Sequence, residues 1–282
     1  MGGMKKWCCL LLALLTGLAC AAAEEPAEMS LLAINVGKAD CLLLRCGASA
    51  YLIDTGTKKT ADRVLTVLEE NGVTRLDGII LTHTHADHAG GLKALLAAPS
   101  LTVDAVYAPA FYLLKKEDGK HPIEKALKKA DPVPVTWLRS GDTIPLDGGS
   151  LTVLGPIVPN EETENNNSLV LLAEGGGGTM LLTGDMEFPE EATLLQAGVL
   201  PKVDVLKIGN HGEGDATSEQ FIEAVQPSLA VISTNTEEEP DTPDPRVIKL
   251  LDAWHIETVQ TQDADSGLLI TLRNGEISTE MQ

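Results

Sequence analysis

The segment His83-Thr84-His85-Ala86-Asp87-His88 places three of the chain's six histidines and a carboxylate within six residues. Neutral imidazole and carboxylate oxygen are ligands for zinc, manganese or iron. The segment follows the apolar run Gly78-Ile79-Ile80-Leu81, which reads as a buried strand. In extended chain His83 and His85 point to one side, and a turn into a following helix carries Asp87 and His88 towards a second position. Three other strand ends carry matching groups. They are Asp54 in Leu52-Ile53-Asp54-Thr55-Gly56, Asp185 in Leu182-Thr183-Gly184-Asp185, and His211 in Leu206-Lys207-Ile208-Gly209-Asn210-His211-Gly212. Alone, an aspartate at a strand end is most often a turn former. Beside the histidine cluster, these residues form a candidate metal-ligand set drawn from several strand ends.

Such a set needs a strand-rich frame. Short apolar strands are expected over residues 31–36, 41–45, 50–54, 78–81, 103–107, 151–154, 169–173, 180–182, 203–208 and 229–232, with closing strands near 258 and over 268–272. Helices are expected over 60–71, 91–97, 188–197, 218–225 and 246–254, with Gly72 and Gly198 stopping the first and third. Residues 175–178 are all glycine and join two strands as a hairpin. The lysine-rich stretch 115–129 reads as a solvated helix or loop. Strand meanders followed by strand–helix alternation occur twice, and no polar stretch is long enough to be a linker. The pattern suits a two-layer sheet core with helices outside.

The chain has 282 residues, 41 acidic against 21 basic, with a net charge of −20 and only 3% aromatic residues. It lacks the basic tracks and stacking platforms of passive nucleic-acid binders. A phosphate-bearing partner would have to be drawn in by bound metal. The 44% hydrophobic content excludes global disorder.

Residues 1–23 read as an export signal: Lys5 and Lys6, an apolar run over 7–18, then Ala19-Cys20-Ala21-Ala22-Ala23. The run is short for a membrane span. Cleavage after small residues fits, and Cys20 leaves lipid anchoring open, although Gly17 stands where a lipobox usually has leucine. The mature form, residues 24–282, is expected to be a single domain with no transmembrane segment and a charge of −22. Of the cysteines left, Cys41 and Cys46 are too far apart along one strand for a disulfide and read as small buried hydrophobes.

The motifs "LIDTG", "HTHADH", "LLTGD" and "KIGNHG" resemble the metallo-β-lactamase superfamily, over about residues 31–277. With "INVGKADCLLL", "NNNSLVLL" and "VDVLKIGNHGEGDATS", the chain is most similar to the hydrolase domain of ComEC-type DNA-uptake proteins and their free-standing relatives. The resemblance implies an α/β fold, the αββα four-layer sandwich, and a hydrolase with one or two divalent ions, Zn²⁺ or Mn²⁺. It implies that His83 and His85 bind a first metal and that Asp87, His88 and His211 bind a second. Asp185 bridges the two, and Asp54 orients the ligand loop from behind. The chemistry is expected to depend on the carboxylates of Asp54, Asp87 and Asp185, with a metal-activated water attacking phosphorus or a carbonyl carbon. Asn167, Ser168 and Asn210 fall where substrate contacts are expected.

This chain departs from the superfamily pattern in three places. Many members carry a further histidine before the "GD" aspartate; here the region is Asn165-Asn166-Asn167-Ser168, as in ComEC-type relatives, and His121 reads as a surface residue. Relatives usually have His-His-Gly-Ser where this chain has Asn210-His211-Gly212-Glu213, and a late His-Pro where it has Asp244-Pro245. Three readings follow. The leading one is an exported phosphodiesterase- or nuclease-like hydrolase acting on a small-molecule or polymeric phosphodiester. The others are a catalytically degenerate metal- or partner-binding domain, and a lactone, amide or thioester hydrolase.

Overall fold

Leu31 and Ala33 face one side of the strand Met29–Ile34, and Leu32 and Ile34 face the other; all four are buried. A strand buried on both faces belongs to a sheet covered on both faces. In the computed structural model, which describes residues 28–113, 123, 127 and 133–282, that sheet has eight strands. Its order is Glu276–Met281, Gly267–Arg273, Met29–Ile34, Leu42–Cys46, Ser49–Ile53, Gly78–Ile80, Val106–Pro109 and Val135–Leu138. A second sheet of seven runs Glu257–Gln260, Leu229–Ile232, Val205–Lys207, Gly178–Leu182, Val170–Gly175, Gly149–Gly155 and Thr143–Leu146. The expected leader, with Cys20, lies outside the described residues. So does the lysine-rich stretch 115–129 with His121, apart from residues 123 and 127.

Period-two alternation sorts the side chains into three cores. Leu31, Leu44, Ile53, Leu171, Met180 and Val205 fill the space between the sheets. Leu32, Leu43, Leu52 and Ile79 turn outward under the helices Ala61–Glu70 and Leu92–Ala97, which supply Val64, Leu68, Leu92 and Leu95. Leu172, Leu181 and Leu206 turn outward under Phe188–Ala197, Glu219–Val225 and Pro245–Ala253, which supply Leu194, Phe221, Val247 and Leu251. The result is the αββα sandwich. Each large aliphatic side chain so buried stabilises it by about 1.5–3 kcal/mol. No helix among the described residues is long and apolar enough to cross a membrane.

Cys41 and Cys46 are free and buried in different cores, which explains them as packing residues. The hairpin at 175–178 closes with Gly176 and Gly177 both at positive φ, as a tight two-residue turn requires. The expected strand over 103–107 is two strands in different sheets. Thr102–Val103 pairs with Arg75–Leu76, while Val106–Pro109 continues the large sheet. The strands Val135–Leu138, Thr143–Leu146 and Glu276–Met281 were not expected; each is an edge strand with exposed residues.

Strand direction positions the site. Ser49–Ile53 and Gly78–Ile80 are parallel, as are Gly178–Leu182 and Val205–Lys207, so the loops after them open at the same ends of the two sheets. Leu169 N donates to Thr82 O at 3.0 Å, joining the sheets at that edge. Gly184, at φ 53°, leaves room for Ser168 and Thr82, each of which a Cβ would meet at 2.9 Å.

One buried acid supports this edge. Glu190, 2% exposed, accepts from Ile157 N at 3.4 Å, and its own N donates to Asn166 Oδ1 at 3.2 Å. Burial pushes its carboxyl from 4.5 up to about 7. A raised acid favours the fold while protonated and loses that contribution as pH climbs through the folded value. Glu190→Gln is therefore expected to leave thermal stability unchanged at pH 5 and to raise it by about 1–2 kcal/mol at pH 8. Equal melting shifts at both pH values would contradict this.

Candidate metal centre

Four loops carry the chemistry to one edge. Asp54 follows Ser49–Ile53, and its N donates to Ile80 O at 2.8 Å. His83 and His85 lie in the extended stretch after Gly78–Ile80, and the short helix Ala86–Ala89 turns Asp87 and His88 back towards them. Asp185 follows Gly178–Leu182. His211 follows Val205–Lys207 in a tight turn where Asn210 and His211 both adopt positive φ, 45° and 53°. Two consecutive non-glycine residues held there mark a position the surroundings over-determine.

Two groups of donors meet at Asp185, and a third, Asp40, Asp54 and His88, lies behind the imidazoles. One atom each from Asp87, His88, Asp185 and His211 lies within 4.8 Å of the others, as does one each from His83, His85 and Asp185. Asp185 belongs to both. Its Oδ2 is 3.0 Å from His88 Nε2 and 3.7 Å from His83 Nε2, and its Oδ1 is 3.5 Å from His211 Nε2. Asp87 Oδ2 reaches His211 Nε2 at 3.6 Å and His88 Nε2 at 3.9 Å. His83, His88, His211 and Asp185 are buried, while His85 is exposed and Asp87 half-buried, so the mouth opens on that side.

The backs of the imidazoles are occupied. His88 Nδ1 meets Asp54 Oδ2 at 2.7 Å, and Thr82 holds the same carboxylate through its N (2.8 Å) and Oγ1 (2.7 Å). His211 Nδ1 donates to Ser233 O at 2.9 Å. These partners fix the tautomers with Nε2 unprotonated and turned inward. His83 Nε2, His88 Nε2, His211 Nε2 and Asp185 Oδ1 are buried without a hydrogen-bond partner. Orphaned buried acceptors are costly. Converging as they do, they fit a divalent cation.

Without a cation the same groups perturb one another. Burial, then the neighbouring His88, lowers His83 to about 3, leaving a neutral imidazole. Burial works against a charged His88, but Asp185 and Asp54 raise it well above 6.5. Burial works against an ionised Asp185, but His88 and His211 hold it well below 3.8. Burial likewise opposes ionised Asp87, yet His211 and His88 bring it down to about 2.

The three residues expected to contact substrate each hydrogen-bond within the chain. Asn167 is buried, with Oδ1 accepting from Asn160 N (2.8 Å) and Nδ2 donating to Asn160 O (2.7 Å) and Thr163 O (2.9 Å); its amide is spent on the loop. Ser168 Oγ accepts from Asp185 N at 3.1 Å and lies 3.4 Å from His83 Nδ1, so it braces ligands. Asn210, 4% exposed, donates to Asp215 Oδ1 at 3.1 Å. Asp244 caps the helix Pro245–Ala253 by accepting from Arg246 N at 2.6 Å.

Sequence reading missed Asp40 and Lys207. Lys207 Nζ is 2.5 Å from Asp40 Oδ2, and both residues are fully buried. Asp40 stands behind the ligands, its Oδ2 4.0 Å from His88 Nδ1 and its Oδ1 3.9 Å from His211 Nδ1. Its N donates to Asp87 O at 3.2 Å and its O accepts from Gly56 N at 2.8 Å, tying two ligand loops together. Burial favours the neutral acid, but Lys207, His211 and His88 together outweigh it and hold Asp40 below its ordinary value. The signal available was a charged residue inside each of two apolar strand patterns, Ala39-Asp40-Cys41 and Leu206-Lys207-Ile208.

Known proteins resemble this chain in sequence and in fold. The sequence profile of the Metallo-beta-lactamase superfamily matches residues 34–236. "ComE operon protein 3" of Bacillus subtilis (strain 168) is 30% identical over 276 residues, 90% of this chain and 34% of that protein. "Competence protein ComA" of Neisseria gonorrhoeae is 28% identical over 236 residues, 82% of this chain and 30% of that protein. Both are of the ComEC type, and the chain spans about a third of their length. Among solved structures, the metallo-beta-lactamase fold protein YhfI from Bacillus subtilis superposes with a TM-score of 0.55 at 13% identity, covering 88% of this chain and 100% of that one.

Proposed function

The chain belongs to the metallo-β-lactamase superfamily, and from that premise we propose that it is an exported, metal-dependent hydrolase of phosphodiester bonds. The observation that carries the proposal is the convergence of four orphaned buried donors, from His83, His88, His211 and Asp185, beside the open mouth at His85 and Asp87. Likeness to ComEC-type proteins supports the phosphodiester class, and the leader-like residues 1–23 support export.

A divalent ion held there supplies Lewis acidity and lowers the pKa of water it binds. The chain's own part is positional. Asp54 fixes His88, Ser233 O fixes His211, and Ser168 holds Asp185 by its backbone N. Asp87, held ionised by His211 and His88 and half-exposed, stands at the mouth as the accessible member of its donor group. Preorganised groups of this kind need no rearrangement as charge develops.

A second reading, metal binding without turnover, draws on the rim. Lys38, beside Asp40, is ion-paired with Glu213 and Glu239, its N donates to Glu238 Oε2, and Glu237 and Asp241 are exposed nearby in sequence. This acidic border disfavours a polyanion.

The test is metal analysis of the mature chain loaded with Zn²⁺ or Mn²⁺, coupled to a panel of a chromogenic phosphodiester, plasmid DNA and a lactone. Phosphodiester turnover that is abolished by chelator and reduced about 100-fold or more by His85→Ala is expected. Metal uptake with the phosphodiester, the DNA and the lactone all left intact would establish the second reading, and lactone turnover alone would replace the substrate class.

A further inference from the structure

The two donor groups are unequal. The group around His211 has four side chains, while the group around His83 has three, one of them the exposed His85. An exposed imidazole on a loop loses rotamer freedom on binding a cation unless the loop is already fixed. Thr84, between His83 and His85, is where it is fixed. Glu164 Oε1 accepts from Thr84 N at 2.9 Å and from Thr84 Oγ1. Tyr112 Oη donates to the same Glu164 oxygen at 2.5 Å and itself accepts from Thr84 N at 2.9 Å.

The partners come from both sheets. Tyr112 lies in the turn Ala110–Leu113 that follows Val106–Pro109 of the eight-stranded sheet. Glu164 precedes the turn Asn165–Asn167, which leads into Val170–Gly175 of the seven-stranded sheet. That asparagine run is a scaffold. Asn165 Nδ2 and Asn166 Nδ2 donate to Glu187 at 2.8 and 2.6 Å, and Asn167 closes the loop on Asn160 and Thr163. Each asparagine thus stiffens the segment that presents Glu164. Burial favours a neutral Glu164, but the hydrogen bonds from Thr84 and Tyr112 hold it below 4.5, and its charge acts on both His83 and His85.

We propose that Glu164 is the positioning residue of the His83–His85 metal position, fixing both imidazoles through Thr84 with Tyr112 as its brace. The proposal rests on the metal-centre reading but not on any substrate. Its loss would weaken one metal position and spare the other.

The experiment is calorimetric titration of the metal-stripped full chain with Mn²⁺, with bound metal counted after desalting. The wild type is expected to take up metal in two steps. Glu164→Ala is expected to weaken the weaker step about tenfold or more and to leave the tighter step within about twofold. Glu164→Gln, which keeps an acceptor for Thr84, is expected to stay within about threefold of wild type, and Tyr112→Phe, a milder change, to weaken the same step about threefold. Wild-type uptake of a single ion, no change in either step with Glu164→Ala, or equal weakening of both steps overturns the proposal. So does a Glu164→Gln protein as deficient as the alanine variant, which would make the carboxylate a direct ligand. Intact two-step uptake with no phosphodiester turnover would instead defeat the hydrolase reading alone.

Discussion

Asp185→Asn is expected to remove both metal positions at once. The Asp185 carboxylate is the one group shared by the two donor sets, with Oδ2 facing His83 and His88 and Oδ1 facing His211. The amide is nearly isosteric but neutral, and one of its two ends is a donor rather than an acceptor. Metal affinity is expected to fall about 100-fold or more at both steps, beyond the 10–100-fold typical of residues that only support ligands. Any hydrolysis falls with it. The fold should persist, since the bond from Asp185 N to Ser168 Oγ is a backbone contact the variant keeps.

The metal-free variant offers an independent check. In the wild type, raised His88 contributes stability below its unfolded value of 6.5 that is lost as pH rises through the folded value. Lowered Asp185 contributes stability above 3.8 that is lost as pH falls. The two shifts describe one interaction, present between those limits. Metal-free Asp185→Asn is therefore expected to be less stable than metal-free wild type near pH 6, with the gap closing towards pH 3 and towards pH 9. Two melting curves that stay a constant distance apart across that range would refute the pairing, and unchanged metal titration would refute the shared role.

Lys207→Met is expected to destabilise the protein by about 3–5 kcal/mol, the usual cost of leaving one partner of a buried ion pair alone. Lys207 Nζ has no ion-pair partner besides Asp40 among the described residues, and both side chains are excluded from water. With the ammonium gone, Asp40 must take up a proton or draw on the nearby Nδ1 atoms of His88 and His211, disturbing imidazoles that Asp54 and Ser233 O otherwise hold. Metal affinity should fall as well. Adding Asp40→Asn to Lys207→Met removes the stranded charge and should recover a large part of the stability. Denaturant melts of the two singles and the double make the measurement. A Lys207→Met protein within about 1 kcal/mol of wild type would show that the pair carries no such weight.

The histidine cluster was legible because a metal-ligand set is a dense local pattern, and His83 through His88 occupy consecutive positions after one apolar strand. The four layers were legible for a similar reason. Leu31 to Ile34 and Leu42 to Leu44 are apolar at every position, which marks strands buried on both faces. The edge strands Val135–Leu138 and Thr143–Leu146 were not, because each is only four residues long and has a proline, Pro134 before one and Pro145 within the other, that reads as loop.

By itself, then, the sequence determined the layer order and the strand ends that bear the candidate ligands. Each of these is written in residue type and short-range periodicity. Only the tertiary structure decided that Asp40 meets Lys207 across 167 positions of chain, that Glu164 reaches back 80 residues to Thr84, and which partners Asn167, Ser168 and Asn210 hydrogen-bond within the chain. The physical reason is that a buried charge or amide is defined by the partner that satisfies it. That partner is chosen by how the sheets pack, and local sequence carries no record of it.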